Sequence, residues 1–128
     1  MTMETDLTTY VLAQSAITAL ISTRFEPVLN VQGSVMPAAS YQVISAPAEY
    51  THDGLAMTSW RVQLTVTDLT YAGVVAVANA LRAVLAGKVW TVSGRRYSSF
   101  VENVLDGLAP PAGQAGYYLR RMDVTIEN

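Results

Sequence analysis

The chain has no cysteine and little charge. Among its 128 residues there is one histidine, His52, and charged residues make up 14% of the total. The absence of thiols excludes disulfides and zinc sites built on thiolates. One histidine and scattered carboxylates do not supply the three or four clustered ligands of other metal centres. The composition therefore predicts no metal site and no cofactor.

The motifs of common catalytic sites are also missing. No Gly-x-Ser-x-Gly elbow and no glycine-rich phosphate loop occurs in the sequence. The spacing of the acidic residues does not place two of them together as an acid–base pair. His52, beside Asp53 in a turn, is interpreted as an exposed loop residue. None of these motifs therefore points to a catalytic site.

The charge balance argues against nucleic acid as a partner. The net charge is −2 and the isoelectric point is about 5.2, whereas nucleic-acid binding needs a basic face. Two segments nevertheless mix basic and aromatic residues, one with Arg95 and Arg96 and one with Arg120 and Arg121. Because neighbours on a strand point to opposite faces, each arginine pair should be split. A nucleic-acid-binding module using these arginines stays open as an alternative.

The amino terminus lacks the features of a secretion signal. It has neither the basic start nor the apolar stretch of such a signal. We therefore expect synthesis in the cytoplasm of the producing cell and no association with a membrane.

Apolar residues dominate what is present, and one helix shows it most clearly. Hydrophobic residues make up 51% of the chain, and the mean hydropathy is +0.26. In the helix predicted over residues 71–86, only Asn79 and Arg82 interrupt an apolar run that is too short to span a bilayer. A helix that is apolar all round must be covered on more than one side. We expect self-association, with the interface formed by Val75, Ala76, Asn79, Ala80, Arg82 and Ala83.

Hydrophobic periodicity predicts one α+β domain over residues 1–128. A first helix is expected over residues 7–21, capped by Thr5 or Asp6, and the apolar helix should be capped by Asp68 or Thr70. Strands are expected over residues 40–46, 60–67, 88–92, 96–101 and 117–127. The predicted architecture is a mostly antiparallel sheet with two main helices packed on one face, in the order α-β-β-α-β-β-β.

Several segments, taken in order, resemble one family. They are the first helix, Arg24-Phe25-Glu26-Pro27, Gln32-Gly33, Met36-Pro37-Ala38, Tyr41-Gln42-Val43-Ile44-Ser45, Tyr50-Thr51-His52-Asp53-Gly54, Arg61-Val62-Gln63-Leu64-Thr65-Val66, the alanine-rich helix and residues 118–126. In this order the chain resembles the tail completion, or tail terminator, proteins of long-tailed bacteriophages and prophages. The resemblance covers nearly the whole sequence, although residues 106–116 do not map onto it.

The resemblance implies a structural role without catalysis. It implies an α+β virion assembly subunit that forms a homo-oligomeric ring, expected to be a hexamer, in the neck or tail of the particle. That ring caps the tail tube and joins the tail to the head, so its partners would be itself, the major tail-tube protein and the head–tail connector protein. DNA would pass through the ring without specific binding.

Two projecting loops are the expected docking sites for those partners. They are residues 49–57 and 93–96, with Tyr50, His52, Asp53, Met57, Arg95 and Arg96 as the contact residues. A competing interpretation is a dimeric α+β small-ligand-binding or enzymatic domain. Its pocket would be lined by Trp60, Trp90 and Tyr118.

Overall fold

The computed structural model describes residues 3–27, 37–46, 48–51, 54–108 and 118–128. In these residues lie three helices, α1 (Met3–Leu12), α2 (Ser15–Ile21) and α3 (Tyr71–Leu85). The strands are β1 (Phe25–Pro27), β2 (Ala38–Ser45), β3 (Ala48–Thr51), β4 (Gly54–Asp68), β5 (Lys88–Val92), β6 (Arg95–Leu108) and β7 (Tyr118–Glu127). The predicted mixed α/β chain made mostly of sheet is confirmed, whereas the element order differs from the predicted one.

The single first helix predicted over residues 7–21 is wrong. The structure has α1 and α2 instead, separated at Ala13 and Gln14. Gln14 is extended, with φ −87° and ψ 113°, and its side chain makes no capping hydrogen bond to α2. That side chain instead donates to the Tyr10 carbonyl, 3.1 Å away. No glycine or proline marks the break, so the sequence carried no strong signal for it.

The sheet is mostly antiparallel. Its strand order is β1-β2-β4-β7-β6-β5, and β3 pairs with β4 outside this path. Among the described strands, only the pairing of β1 with β2 is parallel. The last of the described strands, β7, lies between β4 and β6 and pairs with each along its whole length. The centre of the sheet is therefore built from segments far apart in sequence.

The β4 strand follows the predicted alternation. Val62, Leu64 and Val66 are fully buried on one face, while Arg61, Gln63 and Thr65 are more exposed on the other. The strand is longer than expected, because it begins at Gly54, and residues 54–58 pair with β3. Pairing with β7 begins only at Ser59. We call the paired segments 48–51 and 54–58 the β3–β4 ribbon.

The hairpin between β5 and β6 has the predicted turn. Val92 pairs with Arg95, so Ser93 and Gly94 form a two-residue loop, with φ of 51° and 80°. Positive φ at both positions is typical of the type I′ turn, which matches the twist of the flanking strands. The sequence predicts this strand over residues 96–101 with an extension as far as Leu105, and β6 in fact continues to Leu108.

The helices and the strands share one hydrophobic core. Buried residues of all three helices form one cluster with the inward residues of the strands. The carboxyl end of α3 is fixed to this core by side chains. The Tyr10 hydroxyl donates to the Val84 carbonyl at 2.7 Å, and the Ser99 hydroxyl donates to the Leu85 carbonyl at 2.7 Å. These bonds satisfy carbonyls that a helix end leaves without an intrahelical partner.

The amino end of α3 is capped by Thr70. Its hydroxyl accepts a hydrogen bond from the Gly73 amide at 3.1 Å. Asp68, the other candidate cap, accepts from the Leu69 amide at 2.7 Å. Across the described ranges, no helix is both long and apolar enough to cross a membrane.

Candidate functional site

The outward face of α3 is exposed and poor in charge. Its inward residues are buried against β4, β7 and α2. The outward face consists of Tyr71, Ala72, Ala76, Asn79, Arg82 and Ala83. Leu69, just before the helix, is 63% exposed. The helix is therefore covered on one side within the chain, and its other side presents small and apolar groups with a single charge.

The predicted self-assembly residues divide into two groups on this helix. Ala76, Asn79, Arg82 and Ala83 lie exposed on the outward face, and Val75 is half-buried at its border. Ala80 differs from them, because it is half-buried and packs against the core. The expected contact residues are thus brought together on one surface, except that Ala80 serves the chain's own packing.

A buried ion pair joins α1 to the β5–β6 hairpin. Arg95 donates from Nε to Asp6 Oδ2 at 2.6 Å and from Nη2 to Asp6 Oδ1 at 2.7 Å. Tyr97 donates its hydroxyl proton to Asp6 Oδ2. Asp6 is fully buried, and the bonds from Arg95 lower its pKa to about 2 against the opposing effect of burial. The two-point contact between Arg95 and the carboxylate fixes the position of α1.

Asp6 is therefore not the helix cap that the sequence predicts. It lies inside α1, and its carboxylate points toward the sheet. The sequence did contain a signal that Asp6 faces inward. Asp6 is three residues after Met3 and four before Tyr10, so it shares their helix face. The partner Arg95 is 89 residues away, and nothing local in the sequence indicates it.

A second network, also made of an aspartate, an arginine and a tyrosine, lies near the beginning of β7. Arg120 donates from Nε to Asp106 Oδ1 at 2.6 Å, and the Tyr71 hydroxyl donates to Asp106 Oδ2 at 2.8 Å. The bond from Arg120 lowers the pKa of Asp106, and Tyr71 adds to this effect. Tyr118 packs edge-on against Tyr71 with ring centroids 5.8 Å apart. This network is more exposed than the first and links α3 to β6 and β7.

Each arginine pair is split, as predicted. Arg95 and Arg120 form ion pairs with Asp6 and Asp106. Arg96 and Arg121 are exposed and, as strand neighbours of the paired arginines, point to the outer face of the sheet. The structure does not bring the four arginines together into a basic surface, so it offers no observation in favour of the nucleic-acid alternative.

The three aromatic residues expected to line a ligand pocket are not brought together. Trp90 is buried between Tyr10 and Tyr97, with ring centroids 4.5 and 4.6 Å away, and Trp60 lies near Tyr97 at 6.1 Å. Tyr118 lies by Asp68 at the far end of β4, eight residues beyond Trp60, or about 26 Å at the usual rise of a strand. Within the described ranges, no group of three or more histidine, cysteine or acidic side chains is placed to hold a metal.

The two predicted docking loops have different outcomes. Residues 49–57, expected as a loop, belong largely to the β3–β4 ribbon, and their backbone pairs as a hairpin. Tyr50 and Met57 lie on its two strands, whereas His52 and Asp53 lie outside the described residues. In the second loop, Arg96 is exposed, but Arg95 is held by Asp6 and is not free for a partner.

Comparison with known proteins identifies architectural relatives among solved structures. No family model matches the chain, and no curated protein matches it. Among solved structures, it is similar to a chain in the virion of a native gene transfer agent (GTA) particle, with a TM-score of 0.68 and 15% sequence identity. The match covers 93% of this chain and 87% of the other. At that identity the similarity shows a shared fold.

Proposed function

We propose that this protein is a structural subunit of a phage-like virion and does not catalyse a reaction. The observation that carries the proposal is the match of fold over almost the full length of a chain from a gene transfer agent particle. The low charge and the exposed, alanine-rich face of α3 support it. Surfaces of this kind tend to associate with other protein.

The finer proposal is a ring-forming tail terminator. The ring would cap the tail tube and join the tail to the head, and would contact the major tail-tube protein on one side and the head–tail connector on the other. The sequence resemblance supports this position in the particle. A ring requires two different patches on each subunit that fit head to tail, and the outward face of α3 is proposed as one of them.

The first experiment measures assembly of the purified chain. Native mass spectrometry at micromolar concentration should show one closed oligomer, expected to be a hexamer, and negative-stain images should show rings. Particles made without this protein should accumulate separate heads and tails. A chain that stays monomeric, together with normal joining in its absence, would contradict the proposal.

The second experiment separates assembly from folding with matched variants. Ala76→Glu places a charge on the outward face of α3, where burial of an unpaired carboxylate costs at least about 3 kcal/mol, or a factor of at least about 100 in Kd. Ala16→Glu makes the same change at an exposed position of α2 and should assemble normally. Ala80→Glu should instead impair folding, because Ala80 packs against the core.

A further inference from the structure

The β6 strand has a long edge that no other described strand pairs with. On one side, β7 pairs with β6 from Ser98 to Leu108. On the other side, β5 pairs with it only from Arg95 to Ser99. Residues 100–108 therefore present backbone donors and acceptors along one side, and we call this segment the open edge of β6. Such an edge is a template for pairing with another strand.

The side chains of the open edge are accessible and acidic. From Phe100 to Asp106 none is buried, and Phe100 and Leu105 are 42% and 54% exposed. The only charged residues in this segment are Glu102 and Asp106. Asp106 is already paired with Arg120 within the chain, so Glu102 is the acidic residue that a pairing strand would meet, and a like charge opposite it would be destabilising. The edge is thus suited to an uncharged strand rather than to its own copy.

The same chain offers such a strand in the β3–β4 ribbon. Residues 54–57 pair with β3 on one side, but they lie beyond the start of β7 pairing at Ser59 on the other. Their sequence, Gly-Leu-Ala-Met, carries no charge. At the usual rise per residue, this segment reaches about 13 Å past the last pair of β4 with β7, Ser59 with Glu127. On that side, none of the described strands pairs with residues 54–57, so this uncharged segment is a candidate partner for a strand of a second molecule.

We propose that residues 54–57 of one copy add as a strand to the open edge of β6 of the next copy. The inference builds on the ring in the proposed function and names the contact that closes it. The two segments are different surfaces of one chain, so their pairing is head to tail and continues around a ring. Main-chain hydrogen bonds supply the affinity in strand addition of this type.

Single cysteines test this contact directly, because the natural chain has no cysteine. A Leu105→Cys chain is mixed with Leu55→Cys or Ala56→Cys chains, two consecutive positions that sample both faces of the strand. Oxidation should cross-link the mixed pair through at least one of these positions. Val89→Cys, with 55% exposure against 54% for Leu105, is the matched control and should not cross-link. Cross-links between two Leu105→Cys chains, with none to residues 55 or 56, would overturn the proposal in favour of self-pairing.

Hydrogen exchange of the unmodified oligomer distinguishes this inference from the ring itself. Amides of residues 54–57 and of the open edge should both gain at least about tenfold protection as the oligomer forms. A ring in which neither segment gains protection would refute the strand addition but leave the ring standing. A chain that is monomeric at every concentration would remove both.

Discussion

Replacement of Asp6 by asparagine tests whether the buried ion pair holds α1 on the sheet. The carboxylate is fully buried and accepts two hydrogen bonds from Arg95 and one from Tyr97. Its pKa falls from 3.8 to about 2 on folding, and each pKa unit corresponds to about 1.4 kcal/mol. The charged form therefore stabilises the fold by about 2 kcal/mol, with Arg95 about one-third exposed and thus partly screened. Asp6→Asn should lower the free energy of unfolding by this amount.

The stabilisation that Asp6 provides should change with pH in a definite direction. Because the folded pKa of Asp6 lies below its unfolded value, the stabilisation is present above about pH 4 and is lost as the pH falls through about 2. The difference between wild type and Asp6→Asn should therefore be largest near neutral pH and shrink toward pH 2. Urea denaturation at several pH values measures this difference in the free energy of unfolding. The protein concentration is kept the same throughout, because assembly also adds stability.

Asp106→Asn is the matched control for this prediction. It removes a carboxylate with the same partner types, but the Asp106 side chain is 45% exposed. Solvent screens exposed ion pairs, so their contribution to stability is small, and this variant should lose clearly less stability than Asp6→Asn. Equal losses in the two variants, or a loss at Asp6 that does not change with pH, would refute the assignment of the buried pair as the main electrostatic contact of α1.

Three further predictions concern the two ends of α3 and its outward face. Ser99→Ala removes the acceptor of Trp90 Nε1 and the donor to the Leu85 carbonyl. Urea denaturation should therefore show that the free energy of unfolding falls by about 1–3 kcal/mol, and a fall of less than about 0.5 kcal/mol would contradict this prediction. A Cβ at Gly73 would displace the Asp68 carboxylate, which offsets part of the gain that alanine brings as the better helix former. Gly73→Ala should therefore raise the melting temperature more in an Asp68→Ala background than in wild type, and equal changes in both would show that Asp68 is not an obstacle. Ala76→Glu should leave the melting temperature of the monomer within a few degrees of wild type, and a large drop would show that the outward face has a role in folding.

Local signals predicted the elements whose residues alternate or repeat most regularly. The inward and outward positions of β4 follow from strict alternation, since Val62, Leu64 and Val66 all reach the core. The apolar run predicted α3 within one residue of its observed end, because Thr70 and Gly87 bound it. These features depend on neighbours in sequence, which a single chain displays directly.

Features that depend on distant partners were missed. The sequence does not show that β7 enters between β4 and β6, or that Arg95 meets Asp6. The β3–β4 ribbon resembled a loop because its composition is small and polar around the turn, and only its pairing makes it a strand. For the candidate surface, helix periodicity located the outward residues, but the half-buried state of Ala80 follows from packing that no local pattern encodes.

The position of β7 has a consequence for biosynthesis. Both of its neighbours, β4 and β6, are made earlier, and each pairs with it over ten residues. During translation these neighbours lack their shared partner until residues 118–127 have left the ribosome. The sheet is therefore completed late, and the β6 strand that carries the open edge gains its full-length partner only when synthesis of β7 is finished.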